Sequence, residues 1–316
     1  MSLKSVFFIC FTLLFSVHLL SQNSSKELGI ITENDIYTSS KNDQYYTNGL
    51  EIFYRYLSKK TKPNVLKKIN EIHIGQYMYS PRTIYVDEED VFDRPFAGYL
   101  FGEFGNTNFY KNQSVFKKYL QLGYIGPNSF ADKVQSETHI LFHYKAFEQW
   151  DYQIQNALAI QTYFMFSRPF LNSFNKERID FQWQTEAKLG TIFTSLTTGF
   201  VARIGIKKLM PLSESNFHGA SISAGANKEA RELYFYMAPS INYQIYDATI
   251  QGSMFNDKSP VTFDLIPLRF NGEAGFRYRK NNWNLSYAFV YRGKELKFYR
   301  TIGYFYGSIR LSYIFR

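Results

Sequence analysis

Alternation of apolar and polar residues constrains this chain more than any other feature. Across Ile179-Asp180-Phe181-Gln182-Trp183-Gln184-Thr185-Glu186-Ala187-Lys188-Leu189 the period of two is almost unbroken. Ile, Phe, Trp, Ala and Leu take one face, and Asp, Gln, Glu and Lys the other, because successive strand side chains point to opposite sides. The pattern returns from Leu268 to Arg279, in Trp283-Asn284-Leu285-Ser286-Tyr287 after the tight turn Lys280-Asn281-Asn282, and from Phe305 to Phe315. About twelve such segments are legible, near 27–36, 45–57, 70–80, 96–104, 116–126, 151–167, 178–190, 196–208, 231–247, 262–280, 282–292 and 303–315. Most reach the roughly 9–11 residues that a tilted membrane strand needs. Residues 209–230 show no readable pattern and are expected to form a long connection.

Strands with one apolar and one polar face suit a sandwich or a barrel, and the aromatics decide between them. With 31 Phe and 26 Tyr, aromatic residues reach 19% of the chain. A membrane barrel uses that many in its interfacial girdles, and its polar lumen explains a mean hydropathy of −0.30. The expected fold is all-β: a transmembrane antiparallel β-barrel of about 12 strands in a bacterial outer membrane, with a short loop helix at the extracellular mouth. Residues 1–21 read as a signal peptide, with Lys4 before the apolar run Val6 to Phe15 and Ser21 at the cleavage point. Residues 22–316 then form a single barrel domain. The one cysteine, Cys10, leaves with the signal, which excludes disulfides and cysteine catalysis. Loss of Lys4 takes the net charge from +9 to +8 (9 − 1). A basic balance suits anionic partners such as phosphorylated lipids, and equally plain solubility. No nucleic-acid partner is expected for an exported chain.

If the N-terminus starts on the periplasmic side, odd strands run outward and even strands return. The outer ends of the first six strands then collect Asn34-Asp35, Tyr46-Thr47-Asn48-Gly49, Pro81-Arg82, Asp93-Arg94-Pro95, Gly126 through His139, and Trp150-Asp151. Gly126-Pro127 breaks the fifth strand, because proline has no N–H to donate to a ladder. Asn128 or Ser129 can then cap a helix on which Asp132, Gln135 and His139 share a face at i, i+3, i+7.

His139 is a candidate general base, since imidazole titrates near neutrality. His143, one helical turn on, competes with it by geometry. Gln135 is placed to hold the base or a water. Asn34 and Asp35 offer amide and carboxylate oxygens that suit a hard cation such as calcium, or else form an ordinary turn pair. They fall on opposite faces and meet at one site only if the strand ends or bulges there. Thr47 shares a face with Glu51 and Arg55 and is expected to look inward, as a ligand-positioning hydroxyl or a plain β-branched strand residue. A serine route would use Ser129 or Ser136, although no Gly-x-Ser-x-Gly elbow occurs. Arg82 and Arg94, at the mouth, are candidates for phosphate or sugar contacts, with Arg94 equally suited to organising its loop.

These pieces, in this order, resemble the lipid A 3′-O-deacylase family, the outer-membrane enzymes called LpxR. The likeness runs through Glu33-Asn34-Asp35, Tyr46-Thr47-Asn48-Gly49-Leu50, Tyr79-Ser80-Pro81, Asp93-Arg94-Pro95-Phe96-Ala97-Gly98-Tyr99-Leu100, Gly123-Tyr124-Ile125-Gly126-Pro127, Gln135 with His139, and Trp150 to Asn156. It implies a twelve-stranded barrel with its site between the wall and a loop helix at the outer mouth. It also implies calcium-dependent ester hydrolysis that removes the 3′-linked acyl chains of lipid A at the extracellular side; a monomer is expected. Carried over by position, His139 is the base that activates water, Asn34, Asp35 and Thr47 belong to the calcium shell, and Gln135 is an auxiliary. Phe130-Ala131-Asp132 and Lys145 depart from the small and acidic residues expected at those places. The rival readings are a non-catalytic barrel (a porin, an adhesin or a degenerate family member) and a serine-dependent outer-membrane phospholipase.

Overall fold

The computed structural model describes residues 25–38, 45–59, 62–82, 92–142, 149–170, 177–223 and 230–315. The signal-peptide assignment, His143 and Lys145 lie outside them, as does the side chain of His139. Twelve antiparallel strands close into one barrel: β1 (Lys26–Asn34), β2 (Tyr45–Leu57), β3 (Val65–Ser80), β4 (Ala97–Tyr110), β5 (Val115–Ile125), β6 (Ala157–Pro169), β7 (Ile179–Gly190), β8 (Phe193–Gly205), β9 (Arg231–Asp247), β10 (Leu268–Lys280), β11 (Trp283–Arg292) and β12 (Tyr304–Phe315). Each strand pairs with its neighbours in sequence, and β1 pairs with β12 from Lys26↔Phe315 to Asn34↔Gly307. Closure leaves no strand edge, so the ladder groups are satisfied without water, as a lipid environment demands.

The alternation sorts side chains as the sequence requires. Along β9, Met237, Ile241, Tyr243 and Ile245 are exposed on the outer face while Tyr234 and Tyr236 are buried inside. The lumen is a network of charges and hydroxyls. Arg55 bonds Glu71 at 2.5 Å and Glu27 at 3.4 Å. Thr107 and Tyr119 each donate to Glu71 at 2.7 Å. Buried carboxylates and guanidiniums persist in such an interior only when paired and hydrogen-bonded in this way.

Two strands start later than the alternation predicts. β6 begins at Ala157 and not at 151, because Gln149–Tyr152 form a 3-10 turn. β10 begins at Leu268 and not at 262; Pro267 can supply only a carbonyl, which Gln244 N–H uses at 2.8 Å.

One rim carries the start of β1, the end of β12, the short β4–β5 and β10–β11 turns and the β8–β9 connection, 206–230. From 209 to 223 that connection is not a surface loop. It folds into the lumen and buries Leu212, Phe217, Ala220 and Ile222 in the main core. A buried loop needs donors for its carbonyls, and strand cations supply them. Arg279 donates to Glu214 O at 3.0 Å and Ser221 O at 2.9 Å, Arg277 to Phe217 O at 2.9 Å, and Lys67 to Ala220 O at 3.0 Å. Gly219 has φ +76°, and a Cβ there would meet the Arg55 guanidinium at 2.9 Å, so only glycine lets the plug seat.

At the opposite rim the long connections form a cap. The short helix α2 (Ala248–Gln251) is capped by Asp247, and Leu265 bridges to Leu296. Glu295 takes Arg94 at 3.1 Å and Arg269 at 3.0 Å. Burial alone would raise the Glu295 pKa, but Arg94 and Arg269 outweigh it and hold the carboxyl below its usual range. Between plug and cap the lumen holds a cavity of about 450 Å³, whose lining includes Arg94, Lys188, Glu273 and Arg277.

Within the plug, His218 is held well below its ordinary pKa by burial and by Lys117, Arg277 and Arg203, against which Glu71 acts weakly. A group with a depressed folded pKa gives its full stability above its unfolded value and loses it as pH falls. Melting temperature is therefore expected to drop as pH falls below about 6.5, the unperturbed histidine value. His218→Gln should flatten that slope, measured by thermal unfolding from neutral to mildly acid pH.

Candidate active site at the barrel rim

The residues singled out in the sequence collect on the cap-bearing rim, where the helix after β5 lies outside the wall. The break after β5 is built from two special backbone positions. Gly126 has φ +92°, where a Cβ would strike Ile154 O at 2.6 Å, and Phe130 takes a left-handed conformation. Between them Pro127–Ser129 make one 3-10 turn, and the helix α1 (Ala131–Phe142) follows. Ser129 Oγ accepts from Ala131 N at 3.4 Å, but left-handed Phe130 stands between Ser129 and the helix, so neither Asn128 nor Ser129 takes the N-cap position expected of it.

The helix leans on the outer face of β3 and β4. Met78, Phe92, Phe96, Ala131 and Trp150 form one buried cluster there. Gln76 on β3 donates to Ser129 O at 2.6 Å. Gly98 on β4 makes the approach possible, since a Cβ would lie 2.1 Å from Ser129 Oγ and 2.4 Å from Ala131 Cβ.

Strand pairing ties the oxygen-bearing residues to this helix. β1 ends at Asn34, and a 3-10 turn, Asp35–Tyr37, begins at once, so the two residues escape the alternation that would separate them. Asn34 Oδ1 accepts from Ile36 N at 2.9 Å, and Asp35 is buried. The preceding residue, Glu33, pairs with Gly49 on β2. Two residues before Gly49 the β2–β3 register shifts, so that Tyr46 faces Tyr79, Asn48 faces Met78, and Thr47 is the extra residue of a bulge. Met78 in turn packs against α1. Asn34, Asp35, Thr47 and the start of α1 thus occupy one continuous arc of rim.

The bulge takes Thr47 out of the ladder, so alternation with Glu51 and Arg55 no longer fixes its side. Tyr46 points into the lumen, where its hydroxyl donates to Glu33 at 2.6 Å, and Gly49 resumes the inward face. Thr47 Oγ1 is buried and has no hydrogen-bond partner among the described residues, and the same holds for Asp132 Oδ1 on the first turn of α1. Gln135, one turn further, accepts from the Trp150 indole at 2.6 Å. Among the described residues no group of three or more His, Cys, Asp or Glu side chains forms a ready-made metal cluster. Any cation here would draw on hydroxyl, amide and carboxylate oxygens together, a mixture that suits calcium rather than a transition metal.

The family model for the outer membrane protein LpxR matches residues 6–315. This chain belongs to the LpxR family. LpxR from Salmonella typhimurium superposes with a TM-score of 0.73 at 20% identity, covering 92% of this chain and 100% of that one. The β domain of the Bordetella autotransporter Brka aligns at TM-score 0.48 and 9% identity, over 92% of this chain and 99% of that one. The translocator domain of NalP from Neisseria meningitidis aligns at 0.42 and 8%, over 98% and 95%. Comparison with curated protein sequences gives no significant match.

Within this LpxR-family barrel the two rim arginines part company. Arg82 is exposed, and its backbone N–H is held by Asp93 Oδ1 at 2.9 Å. Arg94 turns inward between Phe92 and Phe96, lies 4.4 Å over the Tyr79 ring, and bonds Thr249 and Glu295, both at 3.1 Å. It lines the lumen and organises the cap, apart from the helix arc. The side chains that sequence reasoning passed over are Trp150, which fixes Gln135, and Asp93, which accepts from Tyr45 at 2.7 Å and braces its loop. Trp150-Asp151 stood out as a rim motif, but nothing in it named its partner.

Gly98→Ala is expected to lift the base of α1 from the wall, because the new methyl overlaps Ser129 and Ala131. The barrel ladders do not pass through that contact. Heat-modifiable migration of the folded barrel should persist while the intrinsic fluorescence of Trp150 shifts toward that of a solvated indole.

Proposed function

We propose that this LpxR family member is an outer-membrane esterase that removes the 3′-linked acyl chains of lipid A from the outer leaflet, with calcium as cofactor. The observation that carries the reading is the position of α1. The helix bearing Gln135 and His139 packs on the outer wall of β3 and β4, beside the Asn34–Asp35–Thr47 arc. A substrate arriving there comes from the lipid phase or its interface and not through the lumen, which the plug and cap occupy.

The orphaned Thr47 hydroxyl and the buried Asp35 carboxylate, with the Asn34 amide oxygen, fit a hard cation. Calcium held by Asp35, Asn34 and Thr47 would supply Lewis-acid stabilisation of charge on the ester oxygen. His139 takes one proton from the attacking water as its oxygen bonds to the acyl carbon. When the bond from that carbon to the sugar oxygen breaks, the same proton passes to the departing oxygen. The products are a free fatty acid and a sugar hydroxyl, and no acyl-enzyme forms. Exposed Arg82 is the phosphate contact of this scheme, and one barrel carries every named group, so a monomer suffices. Ser129 is fully buried beneath the helix and faces Gly98, which leaves Ser136 as the nucleophile of the rival serine route.

Mass spectrometry of lipid A from an outer membrane with and without the protein tests the reading. Loss of the mass of the 3′-acyl group is expected, with release of the matching fatty acid. Unchanged lipid A in a membrane that holds the folded barrel overturns it in favour of a non-catalytic member of the fold.

A further inference from the structure

The geometry points to Trp150 as a positioning residue that turns the Gln135 amide so that its NH₂ group serves the site as a hydrogen-bond donor. Indole Nε1–H is a donor only. The Trp150 contact of 2.6 Å therefore requires the Gln135 oxygen to face the ring, and the amide cannot flip without leaving a donor opposite a donor. Trp150 itself is locked. It is 5% exposed and packs on Phe96 at 5.3 Å within the cluster that seats α1. With the oxygen committed, what Gln135 presents is its nitrogen and two N–H bonds. Asp132 Oδ1, on the same helix face, does not take them, since it has no hydrogen-bond partner among the described residues.

A donor at this place assigns Gln135 a definite part. An amide N–H cannot accept a proton from water or from an imidazolium, so Gln135 does not relay protons. It can bind the ester oxygen, whose negative charge grows as water adds to the acyl carbon. A fixed donor aimed at developing charge accelerates reaction more than one that must first be turned. This assignment rests on the esterase reading; the indole bond beneath it does not.

The decisive variant is Gln135→Glu. A carboxylate still accepts from the indole and keeps the packing of Trp150, but it has no N–H to give. Its kcat for acyl release is expected to fall about 10²-fold, the usual cost of one oxyanion donor, with KM little changed. Trp150→Phe keeps the apolar packing and frees the amide to turn, so kcat should fall less than in Gln135→Glu. The double variant should match Gln135→Glu alone, because residues acting through one contact do not add. Multiplying losses, or near-native kcat in Gln135→Glu, would overturn the assignment and leave Trp150 a packing residue.

A second measurement is independent of activity. In ¹⁵N-indole-labelled protein, Gln135→Leu should shift the Trp150 indole resonance and speed its hydrogen exchange, while Gln135→Glu keeps it protected. An unmoved indole signal in Gln135→Leu overturns the bond itself. A moved signal in a protein without lipid A hydrolysis instead supports the bond and counts against the esterase reading.

Discussion

His139→Ala is expected to abolish release of 3′-linked acyl chains from lipid A while the barrel stays folded. General base catalysis by a positioned imidazole contributes about 10²–10⁴-fold, and α1 carries His139 two turns from its anchored base at Ala131. Residue 139 belongs to a helix applied to the outer wall, so the substitution touches none of the ladder bonds that close the barrel. Chelation of the native protein should reach the same end point by another route, with activity restored by added calcium. Asp35→Ala should resemble the chelated protein. Ser136→Ala should release fatty acid at the native rate, because the mechanism needs no covalent nucleophile. Near-native hydrolysis by His139→Ala, or hydrolysis indifferent to chelation, would overturn the proposal. The assay reads free fatty acid from purified lipid A, with heat-modifiable gel migration as the check on folding.

The barrel was legible because its governing signal is local. Each strand declares itself by a period of two, and parity of strand number then sends Asn34, Thr47, Arg82, Arg94 and α1 to a common rim. What the sequence hid is of a different kind. A bulge costs one residue, and the alternation around Thr47 reads the same whether or not Tyr46 and Asn48 straddle an extra position. Trp150 and Gln135 meet only because a loop returns to the wall, so neither residue's neighbours in sequence announce the bond. Arg94 shows the same limit. Its motif is polar and sits at a strand end, which suits a lipid contact as well as a cap, and only packing of Phe92 and Phe96 to one side turns the guanidinium to the other.

The plug was the least legible part, for a reason that bears on how it is held. Residues 209–223 have neither strand nor helix periodicity because their backbone bonds are divided between short internal turns, such as Ser215 N to Pro211 O at 2.9 Å, and side chains of other strands. Arg277 and Arg279 lie on β10, and Lys67 on β3. Regular structure announces itself through its own side chains; a segment satisfied from outside does not. The donors are legible only as charges on the polar face of distant strands, where they look like ordinary lumen residues.

Arg203→Met is expected to release the plug. Arg203, on β8, is 1% exposed. It donates from Nε to both oxygens of Asp180, at 3.0 and 3.1 Å, with Nη2 completing the pair. It also reaches into the plug, to Ser215 Oγ at 2.9 Å and Met210 O at 3.2 Å. Glu232 Oε1, 3.8 Å away, has no hydrogen bond of its own and depends on this cation. Methionine keeps much of the volume and removes every one of these contacts. Breaking a buried pair in this way costs about 3–5 kcal/mol, which is roughly 10²–10⁴-fold in the population of the opened segment. A single cysteine placed at Ala220, fully buried in the native fold, in a chain from which Cys10 has been removed, reports the change. Its reaction with a water-soluble thiol reagent should be slow in the otherwise native barrel and faster by that factor in Arg203→Met. Asp180→Asn should have a smaller effect, since its side chain is 28% exposed and water can replace the lost charge. Equal labelling rates with and without Arg203 would show that burial of Leu212, Phe217 and Ile222 seats the plug without help from the guanidinium.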